Sequence, residues 1–208
     1  MRPFEIVRRF EIEVAIYTGA PCVVATTSCS MAIFLVLQYL KAHGKLPPEI
    51  NIPKHTYVSI PMGILHAGSR PTFRDETWRG VYQLKPLLLW DAARRFTKDM
   101  YLSDECGIGF GHIMATSHHW SKILGIQQAG CILHNDDHMD RWLRRARFDG
   151  RSEGVPPKAD SFDQLGWHAY LSPEIAAEGL VRLSFLPRDN PDLPTDDYPN
   201  LAEAPIFQ

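Results

Sequence analysis

Ser117-His118-His119-Trp120-Ser121-Lys122, running on through Ile123-Leu124-Gly125 to Cys131-Ile132-Leu133, is the stretch whose reading decides the fold. Upstream, Gly111-His112-Ile113-Met114-Ala115-Thr116 reads as a strand, and residues 131–134 read as the next one. Lys122 therefore falls on a loop between two strands. A lysine held there beside Ser117 and Ser121 is partly desolvated, which disfavours the ammonium form and leaves an amine able to attack a carbonyl. The plain alternative is a solvated surface lysine. The rest of the chain has to choose between them.

Working outward, short apolar runs alternate with helical periods. Leu87-Leu88-Leu89-Trp90 predicts a strand that delivers Asp91 at its C-terminal end. Cys22-Val23-Val24-Ala25 predicts another, after which Thr26-Thr27-Ser28-Cys29-Ser30 opens a helix over 31–42, closed by Gly44. Phe4, Val7, Phe10, Val14 and Tyr17 recur at helical spacing before Gly19. Ile50-Asn51-Ile52 predicts a strand ended by Pro53, residues 56–66 a helix with Gly68 just beyond, and Pro71-Thr72-Phe73 a further strand. A helix over 137–148 ends at Gly150, and a polar, Gly/Pro-rich linker fills about 151–161. Ser172-Pro173-Glu174 supplies a cap, a first-turn proline and an early acid, so a last helix runs to about Leu186. Proline and aspartate then predict an extended, loosely packed tail over about 187–208. The alternation points to an α/β fold in one domain over 1–208. A mainly parallel sheet of seven strands or fewer is expected, sandwiched by helices.

Composition narrows the class. The 208 residues are 45% hydrophobic and 22% charged with net charge −2, which gives no global field for nucleic acid or an anionic membrane. Cys22, Cys29, Cys106 and Cys131 stand singly, as expected in a reducing cytoplasm. The charged N-terminus is unlike a signal peptide, and the most apolar run, 31–37, is too short to span a bilayer.

Three more features suggest a site. Four hydroxyls in the five residues before the second helix exceed what one cap needs, and helix N-termini bind phosphate through free N–H groups and the dipole. A single N-capping hydroxyl is the alternative. Asp91 at a strand's C-terminal end lies where open α/β sheets bind ligands, and a carboxylate there can hold a protonated ring nitrogen, although an N-cap aspartate reads the same way. Tyr57 follows a strand, where an aromatic can stack on a flat ligand or simply sit half-buried at a helix start. Other patterns are weaker. His134 and His138 with their acids read as caps at a strand-to-helix turn, and no metal is expected. Gly107-x-Gly109-x-Gly111 precedes a strand and is not a dinucleotide fingerprint. Arg141, Arg144, Arg145, Arg147 and Arg151 read first as a solvated face, then as a diphosphate site, and only distantly as a nucleic-acid surface.

In this order the pieces resemble the DegT/DnrJ/StrS family of pyridoxal-phosphate-dependent sugar aminotransferases, of fold-type I architecture. Tyr17-Thr18-Gly19-Ala20 and Ser28-Cys29-Ser30-Met31-Ala32 are similar to the family's opening blocks. Ile52-Pro53-Lys54-His55-Thr56-Tyr57 and His66-Ala67-Gly68-Ser69-Arg70-Pro71 resemble the next. Asp91-Ala92-Ala93 looks like its "D-a-A" motif, Ser117 to Lys122 like "S-F-x-x-x-K", Ala129-Gly130-Cys131 like "G-G-x-v", and Gly166-Trp167-His168-Ala169-Tyr170 like "G-y-N-y-r".

The resemblance implies pyridoxal 5'-phosphate carried by Lys122 as a Schiff base, Asp91 on the ring nitrogen and Tyr57 stacked on the ring. It also implies a phosphate held by Ser28, Cys29, Ser30 and Ser117. Amino transfer from a donor such as glutamate to a keto-sugar nucleotide or similar ketone follows, in a homodimer with shared sites. Relatives acting as dehydratases replace the lysine by histidine, and Lys122 points away from them. The other reading is a trimmed relative that binds cofactor or sugar nucleotide, or only dimerises, without turnover. Several departures stand out. A strand–helix unit is lacking between Asp75 and Asp91, and the small C-terminal domain is lacking after about Leu186. Arg94 stands where the family has Gln or His near the ring oxygen. His168 takes the place of the asparagine that reaches the neighbouring subunit's phosphate. Cys29 replaces glycine and brings a side chain into a tight phosphate turn.

Overall fold

The structure, a computed structural model, describes residues 3–103, 111–195 and 198–208. Cys106, Gly107 and Gly109 of the sequence patterns lie outside the described residues. Five strands form the main sheet: β1 (Cys22–Thr26), β4 (Tyr82–Gln83), β5 (Leu89–Ala92), β6 (Ile113–Ser117) and β7 (Gly130–His134). Their spatial order is β1-β7-β6-β5-β4. β2 (Glu49–Pro53) and β3 (Arg70–Arg74) form a separate parallel pair.

Periodicity dictates how the sheet is covered. Along β1, Val23 and Ala25 face one way and Val24 the other, while β7 splits Cys131 and Leu133 from Ile132, as the two-residue period of a strand requires. One face packs against α2 (Cys29–Ala42), α3 (Ser59–Ala67) and α4 (Asp137–Ala146), the other against α1 (Pro3–Thr18) and α5 (Pro173–Phe185). Gly179 lets α5 approach α1 closely, because a Cβ there would stand 2.6 Å from the buried Phe10 ring.

The α/β sandwich matches expectation, but the sheet is mixed rather than mainly parallel. Within the main sheet, among the described residues, only β5 and β6 pair in parallel; β1–β7, β6–β7 and β4–β5 are antiparallel. The cause lies in the connections. No helix crosses between β6 and β7; their loop folds back on itself, with His118 N donating to Ala129 O at 2.8 Å and Ile126 N to His118 O at 3.0 Å. A return of that kind reverses the strand, whereas a parallel partner needs a crossover.

Three smaller expectations also change. α3 begins at Ser59 rather than at Thr56, whose hydroxyl is buried against Tyr82 Oη at 2.6 Å. The C-terminal segment is docked, not loose. Asp192 pairs with Arg95 at 2.6 Å, Leu193 N donates to Arg94 O at 2.9 Å, and buried Leu201 donates its N–H to Lys54 O at 2.9 Å. Short 3-10 turns at Leu201–Glu203 and Pro205–Phe207 follow. The arginine run is not a solvated face either. Arg147 is fully buried against Glu11, Ala25 O and Glu153, and Arg144 Nη1 reaches Glu11 Oε2 at 2.7 Å. No described helix is long and apolar enough to cross a membrane.

Candidate active site

β1, β5 and β6 run in one direction, so their C-terminal ends open on one edge of the sheet, where open α/β folds bind ligands. A pocket of about 450 Å³ lies there. Ser28, Cys29, Ser30, Tyr57, Asp91, Arg94, Ser117 and Lys122 line it, together with Ile60, Ala93, His119, Ser121, Gln128, Ala129 and Tyr198. Eight of the nine residues singled out from sequence thus come together from four separate stretches of chain. The ninth, His168, does not. Its side chain is 72% exposed, with Nδ1 3.0 Å from Asp149 Oδ2.

Asp91 is the buried end of the pocket. Its Oδ2 accepts from Tyr82 Oη at 2.9 Å and its Oδ1 from Ala93 N at 2.8 Å. Burial pushes its carboxyl above the usual range; the Ala93 N–H, the Tyr82 hydroxyl and the Lys122 and Arg94 cations pull the other way. Lys122 is half-buried. Its loop is pinned by buried His118, Leu124 and Ile126, and its own N–H donates to His119 O at 2.7 Å. The Lys122 charge bears on both Asp91 and Cys29.

The start of α2 forms the opposite wall. Ser28 caps the helix, its Oγ accepting from Met31 N at 3.2 Å, so the capping reading of this residue is realised. Ala32 N donates to Ser28 O, which leaves the Cys29 and Ser30 N–H groups without an acceptor inside the helix. Ser30 Oγ lies 2.6 Å from Ser59 Oγ. Cys29 does not crowd the turn: its φ is not positive, and its Sγ lies 3.6 Å from Ala115 O and 4.0 Å from Asp91 Oδ1. Burial, then the Asp91 charge, pushes that thiol well up, so it stays protonated. The close approach is made by Gly130 instead, where a Cβ would meet Cys29 N at 2.4 Å and Ser28 O at 2.6 Å.

Tyr57 lies at the mouth, 56% exposed. Arg94 is buried behind it, with Nε donating to Tyr198 Oη at 3.0 Å. Tyr82, Tyr198 and Gln128 are the lining or supporting residues that sequence reasoning missed. A two-residue strand carries no period, and Tyr198 stands in a proline-rich segment that reads as a tail. Tyr82 had one available signal, an aromatic nine residues before Asp91 in a Gly80-bounded run.

The donor set suits a flat, anionic, carbonyl-bearing group such as pyridoxal phosphate. A carboxylate stands at one end, helix N–H groups and serine hydroxyls at another, and a half-buried amine on a pinned loop completes the set.

Comparison with known proteins agrees. Residues 2–100 match the DegT/DnrJ/EryC1/StrS aminotransferase family. The spore coat polysaccharide biosynthesis protein SpsC of Bacillus subtilis (strain 168) is 40% identical over 70 residues, 33% of this chain and 17% of that protein. The sugar aminotransferase CalS13 from Micromonospora echinospora superposes with a TM-score of 0.69 at 19% identity, over 87% of this chain and 60% of that one. A GDP-4-keto-6-deoxymannose-3-dehydratase with bound GDP-perosamine also superposes with a TM-score of 0.69, at 18% identity over 89% of this chain and 62% of that one. The chain thus spans about 60% of the length of these solved chains. Over residues 2–100 the sequence is thus similar to the DegT/DnrJ/EryC1/StrS aminotransferase family, and over most of its length the chain shares the fold of these solved structures.

Proposed function

We propose that the protein is a pyridoxal-phosphate-dependent aminotransferase, moving an amino group from an amino acid such as glutamate to a keto-sugar nucleotide or a similar ketone. One observation carries this reading: Asp91, the Ser117–Lys122 stretch and the start of α2 converge on one pocket from three separate segments. The cofactor, when bound, supplies an aldehyde and an electron-withdrawing ring. Lys122 would supply the amine that holds it, and its Nζ would hold or move a proton within the pocket. Asp91 holds a proton on the ring nitrogen. The Cys29 and Ser30 N–H groups, with Ser28, Ser30 and Ser117, bind the phosphate. Tyr57 would cover the bound group, and Arg94 would bring a permanent cation to it.

His168, outside this pocket, serves the phosphate of a second copy in a homodimer with shared sites. The chain acts as one domain. The free thiols of Cys22, Cys29 and Cys131 suit a reducing compartment, and we place it in the cytoplasm.

The test is to add pyridoxal phosphate, record the visible spectrum, reduce with borohydride and map the labelled peptide. Label on Lys122, lost in Lys122→Ala, with conversion by an amino donor, is expected. No binding at all would sink the proposal. Binding and labelling without conversion by any donor would leave a binder without turnover.

A further inference from the structure

We propose that Tyr82, backed by Thr56, is a positioning residue: it fixes the Asp91 carboxylate in place and holds it in the ionised form that a ring nitrogen needs. The inference rests on the proposed cofactor site and adds a residue that no motif marks. Tyr82 lies on β4, the short antiparallel edge strand, and stands directly opposite Asp91 in the register. Both side chains are buried. Tyr82 Oη donates to Asp91 Oδ2 at 2.9 Å and has Thr56 Oγ1 at 2.6 Å. Because the phenol proton goes to the carboxylate, the threonine hydroxyl must be the donor to Tyr82. The result is a directed chain, Thr56 to Tyr82 to Asp91, in which each donor polarises the next.

The neighbourhood makes this bond matter. Asp91 is faced by Cys29 from α2, by Lys122 from the β6–β7 loop, by Arg94 and the Ala93 N–H just past β5, and by Tyr82 from β4. Burial works against its charge, and Cys29 stays neutral. Ala93 N occupies the other oxygen. Tyr82 is thus the one neutral side-chain hydroxyl bonded to this carboxylate among the described residues. A hydrogen bond to a charged acceptor stabilises it more than one between neutral groups. Trp78 packs edge-to-face against Tyr82 with ring centroids 4.6 Å apart and holds it in that position.

The experiment uses the full chain and two near-isosteric variants, Tyr82→Phe and Thr56→Val. In the cofactor-free protein, the Asp91 carboxyl carbon is titrated by 13C NMR, assigned with Asp91→Asn. Its midpoint should rise by about one to two pH units in Tyr82→Phe, the worth of a hydrogen bond to a charged group, and by less in Thr56→Val. In parallel, pyridoxal phosphate affinity is measured across pH. The pH below which binding weakens should move upward by the same amount, whereas a merely structural loss lowers affinity equally at all pH values. Folded variants whose Asp91 midpoint and binding profile coincide with those of the parent overturn the proposal. Failure of the parent to bind pyridoxal phosphate would instead sink the proposed function, and the NMR arm would still report on the Tyr82–Asp91 pair.

Discussion

Arg94 and Tyr198 clasp each other across the pocket wall: Arg94 Nε donates to Tyr198 Oη at 3.0 Å, and the guanidinium carbon lies 4.8 Å from the ring centroid. Tyr198 O in turn lies 3.0 Å from His55 Nδ1, and the Tyr198 ring stacks on Trp78. The C-terminal segment is therefore anchored at the site itself.

Removing that anchor should loosen the segment before it loosens the core. A cation–π contact and a hydrogen bond together contribute about 2 kcal/mol, or roughly 30-fold in a local opening equilibrium. Tyr198→Ala should speed exchange of the Leu201 amide, bonded to Lys54 O, by about that factor, with little change in the amides of β6. Tyr198→Phe keeps the ring and should give a smaller increase. Parent-like exchange in Tyr198→Ala would show that Tyr198 is no anchor.

Gly130 should tolerate no side chain. A Cβ there would sit 2.4 Å from both Ser28 C and Cys29 N, and backbone cannot swing aside as a flexible side chain can. We expect Gly130→Ala to cost about 1–3 kcal/mol in urea denaturation and to weaken pyridoxal phosphate binding as well, since the atoms displaced are those that open α2. A variant as stable as the parent, with unchanged binding, would refute the close approach.

The Glu11–Arg147 pair offers a stability test away from the pocket. Both side chains are buried, and Glu11 also accepts from Ala25 N at 2.9 Å and Arg144 Nη1 at 2.7 Å. Removing Arg147 takes away the buried cation that Glu11 Oε1 and Glu153 Oε1 share. Arg147→Met alone should cost about 3–5 kcal/mol, and adding Glu11→Leu should recover part of the loss, since apolar replacement of a whole buried pair is often near neutral. Thermal and urea unfolding of the single and double variants decide it. Additive losses would mean that the pair does not act as a unit.

These residues also show where sequence reading works and where it stops. Val7, Phe10 and Val14 announce α1 because burial enforces a 3.6-residue period, and Ser28 announces α2 because a cap is a local interaction. Asp91 and Lys122 were legible because each follows a strand recognisable by its own apolar run. The direction of β7 was not. Cys131-Ile132-Leu133 is buried on both faces and reads the same in a parallel or an antiparallel strand. Tyr82 was hidden for another reason, since its partner in β5 is chosen by a hairpin register rather than by any spacing in the chain. Arg147 misled because a surface arginine and a buried one differ only in a partner far along the sequence, here Glu11.

His118 should give the fold an acid-sensitive step. It is fully buried between Phe10 and Phe96, with Nε2 at 3.2 Å from Thr116 Oγ1 and Nδ1 without a partner among the described residues. Burial pushes its pKa down to about 3, against about 6.5 in the unfolded chain. Between these values the unfolded state holds a proton that the folded state refuses. The contribution is therefore complete above about pH 6.5 and is lost as pH falls toward 3, with a slope of at most ~1.4 kcal/mol per pH unit. His118→Gln has no such proton to gain. It should be less stable than the parent at neutral pH, because the ring contacts are gone, yet lose less stability on acidification. Urea denaturation at several pH values from about 7 down to about 4.5 reads the two slopes. Because His118 N and O pin the loop that carries Lys122, amides near Lys122 should lose exchange protection along the parent's curve. Parallel slopes in parent and variant would assign the acid sensitivity to other groups.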